Sequence, residues 1–291
     1  MGTVYLIWGS TYLAIRVVVS SLPPLGSAGV RFTFAGAVLA AVIVLTRRVS
    51  GLRVTGRELR GAAIVGLALL LGGNGLVQLG ERDVPSALAA LIVGSTPLWI
   101  VLYRRIAGER IEGTVLAGVV IGFAGVGLLV VPRGVSGEIA PIGLLFMLLA
   151  PASWGWGTFM SKRLAMPRDA LASTTLQQVL GGLGLLAAAL ATGERVEPST
   201  WSDRSVIALA YLVVFGSLVA FSAYTWLLAH VNVSKVSTYA YVNPVVAVLL
   251  GALILGEPIT PTIVLGGLLV IVAVAFIVRA PEARPPVRSA S

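Results

Sequence analysis

The sequence of 291 residues contains no cysteine and only one histidine, His230. Without cysteine there are no disulfides, thiolate nucleophiles or cysteine-ligated metals, and one histidine cannot form a histidine-based metal site alone. No metal or other cofactor is therefore expected. A membrane-embedded enzyme acting on lipid or peptide needs a nucleophile with its base, paired acids or metal ligands, so this class is the weaker alternative for the chain.

Charged side chains are also scarce. They make up 11% of the chain and hydrophobic residues 57%, whereas an average soluble protein is about 25% charged. The chain lacks the charges that would cover a soluble surface, and a lipid bilayer tolerates such a surface. The net charge of +9 does not indicate nucleic-acid binding, because the basic residues lie in short breaks between apolar runs and not on one face among aromatics.

Apolar runs long enough to cross a hydrocarbon core recur along the whole chain. They predict an all-α membrane protein with ten transmembrane helices. The predicted spans are residues 2–20, 24–46, 61–80, 84–103, 112–131, 140–160, 171–192, 205–229, 233–255 and 261–279.

Lysine and arginine are distributed unevenly between alternate breaks. If the N-terminus is cytoplasmic, the outer breaks hold only Arg82, Arg133, Arg195 and Arg204, while the cytoplasmic breaks hold most of the others. Cytoplasmic loops of membrane proteins carry the excess of positive charge. Both termini are therefore predicted to be cytoplasmic, and the polar, proline-rich tail of residues 280–291 is expected to be disordered.

The two halves of the chain resemble each other. TPLWIVLYRRIAGERI in the first half corresponds to NPVVAVLLGALILGEPI in the second. Each half holds five predicted spans, an odd number, so the halves are expected to lie in opposite orientations, as inverted repeats do in many transporters. The predicted repeats cover residues 1–132 and 140–279. Matched pairs are Trp8 and Trp154, Arg16 and Lys162, Arg31 and Gln178, Pro97 and Pro244, and Glu109 and Glu257.

These stretches resemble a known family. WGSTYLAIR, RFTFAGAVLA, GGNGLVQLGERDVPSALAALIVGSTPLW and NPVVAVLLGALILGEPIT are similar to the drug/metabolite transporter superfamily, and nearest to its bacterial EamA-type exporters. The resemblance implies a multi-pass protein of the bacterial inner (plasma) membrane with a central cavity between its halves. It also implies export of amino acids, related metabolites or drugs. The expected partners are a small-molecule substrate and the lipid bilayer, and the oligomeric state, monomer or homo-oligomer, stays open.

Aromatic and polar side chains at membrane depth are candidates for lining a substrate cavity, because they are costly unless they face a cavity or one another. In the first span, Trp8, Tyr12 and Arg16 follow at four-residue spacing and share one helix face. Trp154 and Thr158 repeat that spacing in the sixth span. The alternative is that the aromatic residues anchor the helices at the membrane interface and that Arg16 snorkels.

Arg31 lies about 10 Å inside the second span, at about 1.5 Å per residue, and that span contains no acid. Its guanidinium group needs a partner. The partner could be a cluster of backbone carbonyls, a carboxylate such as Glu81, or an anionic group of the substrate. Because the matched residue Gln178 is a neutral polar group, a packing role is favoured over substrate contact.

Two further pairs are candidates for the cavity. Asn74 and Gln78 share a face of the third span, and Tyr239 and Asn243 share a face of the ninth. Amide side chains can bind a zwitterion, or they can simply hold helices together. Tyr224 in the eighth span is a further candidate.

Prolines and carboxylates bear on the transport mechanism. Pro97 and Pro244 are predicted as hinges, since a proline inside a helix frees a carbonyl and kinks the helix. No Asp or Glu lies deep within a predicted span, and Glu81, Glu109 and Glu257 fall at helix ends. Proton-coupled pumps commonly use a buried carboxylate. The sequence therefore favours alternating access without a buried-carboxylate proton relay.

Overall fold

A computed structural model describes residues 1–47, 53–136, 139–195, 197–231 and 239–279, together with Val236. The regular secondary structure within these ranges is entirely helical, which confirms the predicted all-α class. The predicted tail, residues 280–291, lies outside the described residues.

Long helices joined by short connections make up the chain. In the first half they are α1 (Gly2–Val18), α2 (Pro24–Arg47), α3 (Gly56–Gly66, continued by Leu67–Gly75 and Leu76–Gly80), α4 (Ser86–Val93 and Thr96–Ile106) and α5 (Gly113–Ser136). In the second half they are α6 (Pro141–Ser161), α7 (Ala170–Ala191), α8 (Asp203–Tyr211, continued by Leu212–Phe221 and Ser222–His230), α9 (Tyr239–Leu255) and α10 (Pro261–Arg279).

Seven of the described helices are long and apolar enough to cross a membrane, and α9 and α10 contain shorter apolar helices, Val242–Leu255 and Pro261–Ile277. The count of ten spans stays a prediction. Large apolar side chains lie on the outside of the bundle. Leu45, Leu190 and Leu253 are each more than four-fifths exposed, as expected of a surface that contacts lipid tails.

The third helix of each half has a π-helical middle section. It covers Leu67–Gly75 in α3 and Leu212–Phe221 in α8. Such wide turns are rare and occur often at functional sites, because they shift the register of the side chains that follow. Both sections contribute residues to the central cavity described below.

Helix packing follows a regular pattern. α2 packs along α7, α5 along α10, and α4 against α9. α1 contacts α8 and α9, while α6 contacts α3 and α4. This set of contacts is unchanged when the first five helices are exchanged with the second five.

The first proline predicted as a hinge does not lie inside a continuous helix. α4 is interrupted at Gly94 and Ser95, and Pro97 stands in the first turn of Thr96–Ile106, where its missing N–H and fixed φ are tolerated. Pro244 does lie inside α9. The interruption of α4 packs against Pro244, since a Cβ atom on Gly94 would lie 3.0 Å from Pro244 Cγ. The hinge role of both prolines stays a prediction.

A Gly-Glu pair follows α7 and α9 and ties each to the start of another helix. Gly193 and Gly256 have φ of 69° and 67°, the left-handed conformation that glycine adopts at helix ends. Glu194 then accepts hydrogen bonds from the first N–H groups of α2. Glu257 accepts them from Ser86 N and Ala87 N of α4. Carboxylates at helix N-termini accept hydrogen bonds from N–H groups that have no partner within the helix, and their negative charge interacts favourably with the helix dipole.

Candidate functional site

A cavity of about 60 Å³ lies at the centre of the bundle, between helices of both halves. A single water needs about 10–15 Å³ of such space, so the cavity has room for only a few water molecules and is too small for a metabolite in this conformation. Seven of the predicted residues line it: Trp8, Tyr12, Arg31, Asn74, Trp154, Tyr239 and Asn243.

Trp8 is the centre of an aromatic cluster on the cavity wall. Its ring centroid lies 5.6 Å from that of Trp154, 4.8 Å from Tyr224 and 5.2 Å from Tyr239. The contacts with Trp154 and Tyr239 are edge-to-face, a favourable arrangement of ring quadrupoles. The matched tryptophans of the two halves thus touch each other. Trp8 is buried, so it is not an interfacial anchor.

Tyr224 and Thr158 are not among the residues that line the cavity. The Tyr224 hydroxyl is 3.2 Å from Thr158 Oγ1, and Thr158 Oγ1 donates to the Trp154 carbonyl at 2.9 Å. Both residues are buried. They support the rings that form the wall.

Arg31 reaches from α2 to the π-helical section of α8. Its Nε donates to Ser217 Oγ at 2.8 Å, while Gln178 Nε2 donates to the Ser217 carbonyl at 3.1 Å. The matched residues of the two halves therefore bind the same serine, although Gln178 does not line the cavity. Arg31 Nη1 is buried and has no hydrogen-bond partner among the described residues. Glu81, one partner considered for Arg31, instead lies beside Arg16.

Asn74 and Gln78, the two amide residues of α3, have different roles. Gln78 is fully buried and away from the cavity. Its Nε2 donates to Asn74 Oδ1 at 3.3 Å, and its Oε1 accepts from Ser27 Oγ at 3.3 Å. Gln78 thus connects α3 to α2, while Asn74 is presented to the cavity. Asn243 connects α9 to α1, since its amide nitrogen lies 3.0 Å from the Tyr5 carbonyl in the orientation that satisfies both ends of the amide.

Arg16 was predicted to line the cavity, but it is not among the residues that line it. Its Nη1 donates to the backbone carbonyl of Glu81, directly after α3. Its match Lys162 donates from Nζ to the Leu228 carbonyl in the last turn of α8. Each cation binds a carbonyl that has no partner within its own helix. Positive charge at a helix C-terminus also interacts favourably with the helix dipole.

Glu81 shows a burial that the sequence did not predict. Its side chain is fully buried, and neither carboxylate oxygen has a hydrogen-bond partner within the described ranges. Burial raises the pKa of this carboxyl well above its usual range, Arg16 opposes the rise, and Glu257 adds to it. The cavity-lining residues that the structure describes include no carboxylate. Glu81 directly follows the end of α3, as the sequence indicated, but its carboxyl is buried there.

Sequence reasoning missed several lining residues. Thr11 and Ile15 lie on the same face as Trp8, and Thr96 precedes a predicted hinge, so helix spacing could have found them. The glycines of the π-helical sections gave no such signal. The lining residues not predicted are Thr11, Ile15, Phe32, Gly73, Val77, Val93, Thr96, Ala150, Gly216 and Phe221.

An apolar outer surface, membrane-length helices and a central cavity with polar groups define a helical membrane protein of the transport class. The chain belongs to the EamA-like transporter family, which matches residues 3–131 and again residues 141–279. It is a membrane transporter of this family, and the resemblance found in its sequence is confirmed.

Relatives agree with this assignment. The chain is 38% identical over 258 residues to "Uncharacterized inner membrane transporter YedA" of Escherichia coli K12, covering 88% of this chain and 82% of the relative. It is 26% identical over 275 residues to "Uncharacterized transporter YvbV" of Bacillus subtilis, covering 94% and 88%. A solved crystal structure that is 24% identical shares the fold with a TM-score of 0.65, over 94% of this chain and 93% of the other.

Proposed function

We propose that this protein exports small polar metabolites by alternating access through the central cavity. Amino acids, related compounds and drugs are the proposed substrates. The observation that carries the proposal is the cavity itself. It is formed by helices of both halves and combines an aromatic wall with the polar side chains of Arg31 and Asn74. Pockets that bind small molecules have this composition, with few polar groups on a mostly apolar wall.

The proposed architecture has ten transmembrane helices in two inverted repeats, residues 1–132 and 140–279. Four observations support it. The family matches the chain twice, the helix contacts survive exchange of the halves, and the third helix of each half carries a π-helical section. The matched cations Arg16 and Lys162 also bind equivalent helix ends.

The small cavity corresponds to an occluded state of the transport cycle. At one end, Glu257 bridges the α9–α10 connection to α4 by accepting from Ser86 N and Oγ and from Ala87 N. At the other end, its match Glu109 pairs with Arg104 and Arg163, each at 2.7 Å. Bending at the interruption of α4 and at Pro244 would widen one end at a time.

We place both termini in the cytoplasm and the protein in the bacterial inner membrane. The lysine and arginine distribution supports this orientation, and the name of the relative YedA supports the location. In this orientation Glu257 lies at the outer end of the cavity and Glu109 at the cytoplasmic end.

Overexpression in bacteria tests the function. Cells that carry the protein are grown with toxic amino-acid analogues and with drugs, and protection by export is expected for small polar analogues. Asn74→Ala and Tyr239→Ala should remove the protection because both residues line the cavity. Arg105→Gln, which changes an exposed residue, is the control and should keep it. If no compound is tolerated better, and purified protein in liposomes exchanges none of them, the proposal is wrong.

A further inference from the structure

Among the described residues that line the central cavity, Arg31 is the one that carries a charge. Its side chain is 2% exposed. Within the part of the chain that the structure describes, it forms no ion pair. Burying a cation without a counter-charge is energetically unfavourable, so the protein holds Arg31 there against an energetic penalty.

The guanidinium group of Arg31 is held in place on two sides, and one of its nitrogens has no hydrogen-bond partner among the described residues. Nε is bound to Ser217 Oγ, and Gln178 holds the carbonyl of the same serine. Gly216 lies against the other side, where a Cβ atom would come within 2.7 Å of Nη2. Nη1 alone is buried without a partner. A planar donor of this kind matches the geometry of a carboxylate.

Aromatic rings extend from Arg31 along the cavity. The guanidinium carbon lies 4.4 Å from the ring centroid of Phe32, which contacts Phe221 at 6.4 Å. Phe221 contacts Trp154 at 6.4 Å, and Trp154 contacts Trp8. Ring faces attract an ammonium group and pack against apolar chains. The cavity thus offers a cationic end for a carboxylate and an aromatic wall for the rest of the molecule.

We infer that Arg31 Nη1 binds the carboxylate of the substrate, so that the transported compounds are small carboxylates, zwitterionic amino acids among them, and not simple cations or amines. The inference rests on the proposed function and names its substrate class. Ser217 acts through Arg31 as a positioning residue.

Binding to the purified full-length protein in detergent tests the inference. Serine, threonine, leucine and phenylalanine are each compared as free acid, carboxamide and decarboxylated amine, with the melting temperature as readout, since a ligand of the folded state raises it. At least one acid should raise the melting temperature, whereas its amide and amine should not. Equal shifts with an amide or an amine, or no shift with any acid, would overturn the inference.

Variants assign the effect to Arg31. Arg31→Gln introduces the residue that the second half carries at the matched position, and should weaken binding of the acid on the order of a hundredfold. Arg31→Lys keeps the charge and should lose less, and Ser217→Ala should weaken binding of the acid while leaving discrimination against the amide. Arg105→Gln is the charge-matched control and should bind like the wild type. If Arg31→Gln does not fold, Arg31→Lys and Ser217→Ala still decide, because unchanged acid affinity in both contradicts a carboxylate site at Nη1.

Transport separates the two proposals. If the protein in liposomes exchanges a neutral compound or an amine, and Arg31→Gln does so equally well, transport stands and the carboxylate inference fails. If acids bind through Arg31 but are never exchanged across the membrane, the transport proposal fails and the binding site remains.

Discussion

Lys162 Nζ donates a hydrogen bond of 2.5 Å to the backbone carbonyl of Leu228, in the last turn of α8. Arg16, its match in the other half, donates to the carbonyl of Glu81 after α3. In each half, the cation at the end of the first helix therefore binds the end of the third. These contacts fix the ends of the helices that carry the π-helical sections, and so help to position the cavity wall.

Replacing Arg16 with glutamine should lower the stability of the protein by about 1 kcal/mol, because a charged hydrogen bond to an unpaired helix carbonyl is lost. Thermal unfolding of the purified protein measures the effect. Arg105→Gln removes an equal charge from an exposed position and should change little. Equal melting temperatures for the two variants would show that the Arg16 contact does not stabilise the fold.

Helix spacing groups the residues of one face of α1 but does not give the neighbours of each side chain. Trp8 and Tyr12 line the cavity, whereas Arg16 is not among the lining residues and binds the Glu81 carbonyl. Where a stripe of residues stops facing a cavity depends on the helix opposite, and spacing within one helix does not contain that information. The same limit applies to Glu81, because its position after a helix does not reveal that its side chain is buried.

The contact between Arg31 and Ser217 could not be predicted from the sequence, for a second reason. Ser217 lies in a π-helical section, and such a section shifts side chains away from the positions that a regular helix of 3.6 residues per turn would give. Apolar composition alone does not reveal where the wide turn lies. The sequence matched Gln178 to Arg31, but the convergence of both on one serine required the three-dimensional structure.

Close packing of α2 and α7 predicts that Gly182 cannot be replaced by a larger residue without loss of stability. A Cβ atom on Gly182 would lie 2.6 Å from Thr33 N of α2, so Gly182→Ala should push the helices apart and destabilise the protein by about 1–3 kcal/mol. Gly127→Ala in α5 is the matched control, because nothing lies within 4 Å of the added methyl group. Thermal unfolding compares the two variants. A Gly182→Ala protein as stable as Gly127→Ala would contradict the packing.

The bridge made by Glu257 predicts a variant that opens one end of the cavity. Glu257→Gln weakens the charge-assisted bonds to Ser86 and Ala87 at the start of α4. A thiol introduced by Thr11→Cys on the cavity wall should then react about tenfold faster with a water-soluble maleimide, since a loss of about 1.4 kcal/mol shifts an equilibrium tenfold. Glu194→Gln, which weakens a comparable bridge at α2, is the control. Equal rates in both backgrounds would show that Glu257 does not close the cavity.

The buried carboxyl of Glu81 predicts a pH dependence of stability. Burial raises the pKa of Glu81 in the folded protein, whereas in the unfolded chain the group ionises near its usual pKa of about 4.3. As the pH rises above that value, the unfolded state loses a proton that the folded state retains, so folding stability falls. Glu81→Gln removes the dependence and should be the more stable protein at neutral pH, with the difference shrinking towards acid pH. Asp83→Asn, an exposed acid of the same connection, should leave the dependence unchanged, and a wild-type melting temperature that is flat between about pH 5 and about pH 8 would contradict this account.

The inverted arrangement of the halves can be tested directly, because the native chain has no cysteine to give a background signal. Arg57→Cys places a thiol at the exposed start of α3, and Thr200→Cys places one in the exposed connection between α7 and α8. If the halves are inverted, these positions lie on opposite sides of the membrane. In intact cells an impermeant maleimide should label the Thr200→Cys protein and not the Arg57→Cys protein, and both should react once the membrane is permeabilised. Labelling of both thiols in intact cells would mean that the two connections share one side, and a cavity alternating between two related halves could not then be sustained.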